Sequence, residues 1–101
     1  LEYLAPELAG ERAEIGPAVD LYALGATLHA LLTGRPPFEG QGYSLLLKHL
    51  NEAAPSVRER APDVPVELSD LVQRLLSKRP AERGSAVDVA AALEAMSAAA
   101  T

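Results

Sequence analysis

The chain has 101 residues, of which 49% are apolar and 23% are charged, and its formal net charge at pH 7 is −5. This composition is typical of one small globular domain, and the scattered lysines and arginines disfavour nucleic acid as a partner. The absence of cysteine excludes disulfides and thiolate metal sites and favours a reducing compartment, so we expect a cytoplasmic location, with any membrane anchor lying outside these residues.

The first half of the chain predicts a short turn followed by a long helix. Pro6 can occupy the first turn of a helix, so a turn from Pro6 to about Ala9 is expected. A helix follows from Ala18 to Thr33, with apolar residues around nearly its whole circumference, and Gly34 ends it. Its apolar run is shorter than the ~20 residues that cross a bilayer, which predicts a buried helix and no membrane contact.

Three shorter helices are predicted in the remainder. The first runs from Tyr43 to Glu52, with Leu46, Leu47 and Leu50 facing inward. Three prolines make residues 53–65 irregular, although Val57 and Val64 can pack on a core.

The second of these shorter helices has the clearest amphipathic pattern in the chain. It runs from Glu67 to about Ser77, and its apolar positions repeat at helical spacing: Leu68, Leu71, Val72, Leu75 and Leu76. Ser85 and Asp88 then form a predicted capping box that opens a last helix through Met96.

The predicted class is all-α, with about four helices and a short N-terminal turn in one unit, residues 1–97, and a frayed tail at residues 98–101. The long helix is apolar all round, whereas its three partners supply one apolar face each. One side of it should therefore lack cover, and we expect the sequence to be part of a larger fold.

Three motifs in order carry a family resemblance: "EYLAPE" near the start, "DLYALGATLHALLTGRPPF" in the middle and "KRPAERGSA" near the end. Together they resemble the C-terminal part of a eukaryotic-type protein kinase domain and are most similar to bacterial serine/threonine kinases. The resemblance extends from Leu1 to about Met96 and implies the helical C-terminal lobe of a kinase fold.

The resemblance implies an ion pair between distant parts of the chain. Ala5, Pro6 and Glu7 match the A-P-E motif that closes the activation segment, and Arg83 matches the arginine before the last helix. In the family this glutamate pairs with that arginine, which implies a bidentate contact between Glu7 and Arg83. The alternative is two independent solvated charges.

The resemblance also implies roles for residues of the central helix and of the N-terminal segment. Asp20 and Gly25 match the D-x-x-x-x-G of the central helix, where the aspartate holds the backbone of the catalytic loop. A simpler role for Asp20 is the favourable interaction of a first-turn carboxylate with the helix dipole, and both roles can coexist. Glu2, Tyr3 and Leu4 correspond to the substrate-side loop.

The sequence holds none of the family's catalytic motifs. It has no G-x-G-x-x-G loop, H-R-D or D-F-G motif, and its two lysines, Lys48 and Lys78, are not in predicted strands. We therefore predict no catalytic, cofactor-binding or metal-binding residue here, and no activity of these residues alone, while the resemblance implies ATP and Mg²⁺ for the intact kinase. His29 and His49 lack a second ligand at helical spacing and are interpreted as packing histidines.

These observations leave two hypotheses for the function. The first is a part of a serine/threonine kinase that anchors the activation segment and supports a protein substrate, with the missing N-terminal part of the kinase domain as its partner. The alternative is a non-catalytic helical interaction module or a pseudokinase remnant.

Overall fold

The computed structural model describes residues 5–6 and 16–100. These residues form five α-helices and one 3₁₀ turn, with no strand among them. The helices are α1 (Pro17–Thr33), α2 (Gly42–Asn51), α3 (Val57–Arg60), α4 (Val66–Leu75) and α5 (Ala86–Ala100), and the 3₁₀ turn is Pro80–Arg83. The all-α prediction is confirmed. Within the described part of the chain, none of the helices combines the length and the apolar character that a membrane span requires.

Helix α1 is bounded by local signals that were visible in the sequence. Pro17 occupies the first turn, where its missing N–H costs no hydrogen bond. Gly34 ends the helix in the left-handed conformation, with φ 78°, and its N–H donates to the Ala30 carbonyl at 2.8 Å. The predicted boundaries of this helix differ from the observed ones by one residue.

Helix α1 crosses α4 at very short range, and Gly25 makes this possible. A Cβ atom added to Gly25 would lie 2.7 Å from the Leu75 Cβ and 3.3 Å from the Leu76 Cγ. Only a residue without a side chain fits at this crossing.

Helix α4 divides the core into two apolar clusters. Val72 and Leu76 face one cluster, and Leu71 and Leu75 face the other, as residues four apart on one helix do. The larger cluster contains Ala5, Tyr22, Ala26, Phe38, Leu45, Ala54, Val57, Val72 and Leu76. The predicted stripe of α4 is confirmed, with Leu68 only half-buried at its edge.

The inward face of α2 differs from the prediction. Leu45 and His49 are the buried residues, whereas Leu47, which was expected to face inward, is 39% exposed, and Leu46 and Leu50 are half-buried. The helix is rotated toward the Leu45–His49 pair because the His49 ring has both an aromatic neighbour and a hydrogen-bond partner inside the core.

The proline-rich connection contains a helical turn that the sequence analysis did not predict. The Ser56 side chain accepts a hydrogen bond from the Arg58 N–H at 3.3 Å and so caps α3. Val57 is fully buried, as expected, and Val64 is half-buried against the same cluster.

Helix α5 begins with the predicted capping box. The Ser85 N–H donates to Asp88 Oδ2 at 3.2 Å, and the Asp88 N–H donates to Ser85 Oγ at 3.1 Å. The helix reaches Ala100, so regular structure extends further into residues 98–101 than the sequence predicts. Of the predicted N-terminal turn, only Pro6 lies within the described residues.

Candidate functional site

The buried guanidinium of Arg83 is the centre of the candidate site. Arg83 lies at the end of the 3₁₀ turn and is 0% exposed. Its Nε donates to the Ser77 carbonyl at 3.0 Å, and its Nη1 donates to the Ala18 carbonyl at 2.8 Å. The second bond joins residues 65 positions apart and ties the segment before α5 to the first turn of α1.

An aromatic group supports the arginine from the side of α1. The Arg83 guanidinium lies over the Tyr22 ring, 4.8 Å from its centroid. This cation–π contact is favourable because the ring face carries partial negative charge. The Tyr22 hydroxyl in turn hydrogen-bonds to His49 Nδ1 at 2.8 Å, inside the core.

Phe38 and Lys78 extend this group to the surface. The Phe38 ring meets His49 edge-on at 5.1 Å between centroids, and the Lys78 Nζ lies 4.4 Å from the Phe38 centroid. Burial, and secondarily the nearby positive charge of Arg83, lowers the pKa of Lys78 to about 8, although Glu52 acts in the opposite direction.

The structure brings Ala5 to the core beside Arg83. Ala5 belongs to the cluster that contains Tyr22, whose ring carries the Arg83 guanidinium, and the next residue, Pro6, is also buried. The first residue of the predicted A-P-E motif therefore lies in the core that also holds the predicted arginine. Glu7 and the predicted substrate-side residues Glu2, Tyr3 and Leu4 lie outside the described residues, so their roles stay predictions.

Asp20 and Gly25 occupy opposite sides of α1. Gly25 is at the α4 crossing, whereas Asp20 is exposed in the first turn of the helix. An exposed stripe continues from it at helical spacing: Asp20, Leu24, Thr27 and Leu31. Leu31 is 76% exposed, as expected from the prediction that one side of this helix lacks cover.

Both histidines are buried packing residues, but sequence reasoning missed their partners. His49 joins the aromatic group, and His29 Nε2 lies 3.0 Å from the Arg60 Nη1. The position of His49 four residues after Leu45 is the sequence signal that could have placed it inside. Nothing in the sequence indicates that Tyr22 and Phe38 meet it.

The described residues do not fit a magnesium site. Across residues 5–6 and 16–100, no group of three or more histidine, aspartate or glutamate side chains is arranged to hold a metal ion. The chemistry of the described residues is structural: hydrogen bonds, a buried cation and aromatic contacts that fix one segment against another.

Comparison with known proteins identifies the family. The protein kinase domain family matches residues 1–93, and the chain belongs to this family. It is 36% identical over 83 residues to the serine/threonine-protein kinase PknE of Mycobacterium tuberculosis, covering 82% of this chain and 14% of PknE. It is 38% identical over 84 residues to the serine/threonine-protein kinase PrkC of Bacillus subtilis, covering 82% of this chain and 13% of PrkC. The chain thus spans about a seventh of these relatives.

A solved structure has the same fold. The crystal structure of the Rad53 kinase domain and SCD2 in complex with AMPPNP superposes with a TM-score of 0.68 and 27% sequence identity. The match covers 92% of this chain and 36% of that one. The helices therefore form part of a kinase fold, and the alternative of a non-catalytic helical interaction module or pseudokinase remnant is not favoured.

Proposed function

We propose that these residues form the helical base of the C-terminal lobe of a serine/threonine protein kinase and anchor the end of its activation segment. The observation that carries the proposal is the burial of Arg83 on the Tyr22 ring, beside the core that contains Ala5. Backbone carbonyls fix the plane and direction of this buried guanidinium, and a planar guanidinium held in one direction suits a bidentate carboxylate partner.

Glu7 is the partner that we assign to this arginine. Glu7 directly follows the buried Pro6 in sequence, and it completes the A-P-E motif that resembles the family's partner of this arginine. A pair between Glu7 and Arg83 would join the A-P-E motif to both the 3₁₀ turn and the start of α1. The pair would hold the activation segment in place while residues elsewhere perform the chemistry.

The exposed stripe of α1 indicates the second partner. Leu24 and Leu31 are exposed on the same side as Asp20, and a carboxylate that begins an apolar stripe suits the backbone of a loop packed on that face. We assign this face to the N-terminal part of the kinase domain, with Asp20 accepting hydrogen bonds from its catalytic loop. Glu2, Tyr3 and Leu4 are assigned to the protein-substrate side.

The nucleotide and the metal belong to the rest of the protein. The related kinases support ATP and Mg²⁺ for the intact enzyme, and the Rad53 kinase domain was solved in complex with AMPPNP. The residues that would hold these groups lie outside this sequence, since it contains none of the relevant motifs. The cysteine-free composition supports a cytoplasmic location.

A double-mutant cycle in the full-length protein tests the anchor. Glu7→Ala and Arg83→Ala should each lower the free energy of unfolding by about 3 to 5 kcal/mol, because each leaves one buried charge unpaired. The double variant should cost much less than the sum of the two. All three should reduce phosphoryl transfer from labelled ATP to a protein substrate, because the activation segment loses its attachment.

Arg79→Ala is the matched control, because this arginine precedes the same turn with its side chain 82% exposed. It should change stability by less than about 1 kcal/mol. Additive effects of Glu7→Ala and Arg83→Ala would show that the two residues do not pair. Absence of phosphoryl transfer by the unmodified full-length protein would instead argue against the kinase assignment.

A further inference from the structure

A second buried histidine contact lies away from the Arg83 site, at the other end of α1. His29 is 0% exposed, and its Nε2 is 3.0 Å from the Arg60 Nη1, which also donates to the Pro36 carbonyl at 2.9 Å. This single guanidinium nitrogen therefore joins α3, the last turns of α1 and the loop that follows α1.

The chemistry of this contact fixes the protonation state of the histidine. Arginine is always a donor, so His29 Nε2 must be the unprotonated acceptor and the ring must be neutral. The other ring nitrogen, Nδ1, is buried without a hydrogen-bond partner in the described part of the chain. Protonation would turn Nε2 into a donor facing another donor, and it would place two positive charges side by side.

The surroundings offer no compensation for a second charge. Arg35 and Arg60 both face His29, and the Glu39 carboxylate is held by Arg35 through bonds of 3.0 and 3.1 Å. The other charged groups at the adjoining cleft of about 250 Å³ are Lys48 and Glu52 from the α2 side. No carboxylate forms an ion pair with His29 among the described residues.

We propose that His29 and Arg60 form a pH-sensitive latch, which holds α3 on α1 at neutral pH and releases it when His29 is protonated. Helix α3 has four residues: the buried Val57 packs in the core, and the Ser56 hydroxyl joins its start to Ser69 on α4. Toward α1 and the loop after it, the hydrogen bonds come from Arg60. A short element of this kind is a segment that can open locally. Release would move Arg60 away from the wall of the adjoining cleft and change the charge that this cleft presents.

The pH dependence of opening follows from the difference in proton binding between the closed and open forms. Burial, together with the positive charges of Arg60 and Arg35, lowers the pKa of His29 from 6.5 to about 4. The open form, with an ordinary histidine, binds the proton more tightly between these values, so acid favours opening. Lowering the pH from 7.5 to 5 should increase the opening equilibrium roughly 30-fold.

Hydrogen exchange measured by mass spectrometry in the full-length protein tests the latch. Protection of the peptide that spans residues 53–65 should fall roughly 30-fold between pH 7.5 and 5, after correction for the intrinsic pH dependence of exchange. A peptide within α5 should keep its protection. His29→Gln retains an acceptor for Arg60 but does not titrate, so its protection of residues 53–65 should be the same at both pH values.

Arg60→Met removes the donor and keeps the aliphatic stem, so protection of residues 53–65 should be low at both pH values. Unchanged protection in the unmodified protein at pH 5 would overturn the latch. So would an equal loss in α5, which would indicate global unfolding, or a loss that persists in His29→Gln, which would indicate that another group titrates.

Discussion

Gly25 shows how a single residue sets the distance between two helices. The added Cβ of an alanine would lie 2.7 Å from the Leu75 Cβ, a backbone-proximal atom that cannot rotate away. Gly25→Ala should therefore lower the free energy of unfolding by about 1 to 3 kcal/mol, despite the better helix propensity of alanine. Urea unfolding of the full-length protein would measure the difference.

Gly16→Ala is the control for this prediction. Gly16 has extended backbone at the N-cap of α1, and an added Cβ would meet nothing within 4 Å. Its cost should stay below about 1 kcal/mol, because only the cap preference changes. If Gly25→Ala were as stable as the unmodified protein, the close crossing of α1 and α4 would be wrong.

The lowered pKa of Lys78 predicts that the stability of the fold depends on pH above about pH 8. Burial lowers its pKa to about 8, so between pH 8 and 10.5 the unfolded chain binds more protons than the folded one. This lysine should therefore add stability as the pH rises through that window, by up to about 3 kcal/mol, with its partial exposure reducing the gain. Below pH 8 Lys78 is protonated in the folded and the unfolded chain, so it adds no pH dependence to the stability.

Comparison of the unmodified protein with Lys78→Met isolates the effect. The difference in the free energy of unfolding between pH 8 and 10.5 should appear only in the unmodified protein. Equal pH dependence in both proteins would mean that the Lys78 ammonium is stabilised in the fold, with the Phe38 ring outweighing burial.

Sequence reasoning located the residues of the site by motif but not their environment. Gly25 and Arg83 were identified, and the structure gives each a physical reason in packing or burial. His49 was interpreted as a packing residue, but its place on the inward face of α2 instead of Leu47 was missed. That face depends on Tyr22 and Phe38, which are 27 and 11 positions away in sequence. Hydropathy ranks a leucine above a histidine and cannot register a partner that long-range folding supplies.

At the scale of elements, the helices with local signals were predicted closely, and α5 offers a direct test. Ser85 and Asp88 exchange two hydrogen bonds with each other's backbone at its start. Ser85→Ala should cost about 1 kcal/mol, because the Asp88 N–H loses its acceptor at the helix N-terminus. Thermal unfolding of the full-length protein would report this as a lower Tm.

The matched control is Ser97→Ala, an exposed serine in the last turn of the same helix, far from its N-terminal cap. It should change stability by less than about 0.5 kcal/mol. A Ser85→Ala variant that could not be distinguished from Ser97→Ala would show that the capping box contributes nothing to the fold.

Helix α3 shows why some elements escape prediction. Prolines flank it on both sides, and four residues are too few for a periodic pattern. Its start depends on the Ser56 side chain, which also lies 3.2 Å from the Ser69 hydroxyl on α4. The turn is therefore stabilised by tertiary contacts as well as by its cap. The S-x-x-E spacing of Ser56 and Glu59 is a local signal that the sequence analysis did not use.

At the scale of the whole molecule, the exposed stripe of α1 is the feature that the described residues leave uncovered. Leu31 is 76% exposed although it lies near the end of the most apolar segment of the chain, residues 21–32. A leucine in that position contributes little to the stability of these residues by themselves. It can contribute fully only where further chain covers it, because hydrophobic stabilisation follows the apolar area removed from water.

Leu31→Ser should therefore have different effects in residues 1–101 alone and in the full-length protein. In a protein of residues 1–101 alone, it should reduce self-association measured by sedimentation, because it removes part of an exposed apolar face. In the full-length protein it should lower the free energy of unfolding by about 2 to 5 kcal/mol, as for other truncations of a buried leucine. Val87→Ser is the control, since Val87 is equally exposed, at 77%, and lies on α5 away from the stripe. A full-length Leu31→Ser variant no less stable than Val87→Ser would contradict the assignment of this face to the N-terminal part of the kinase domain.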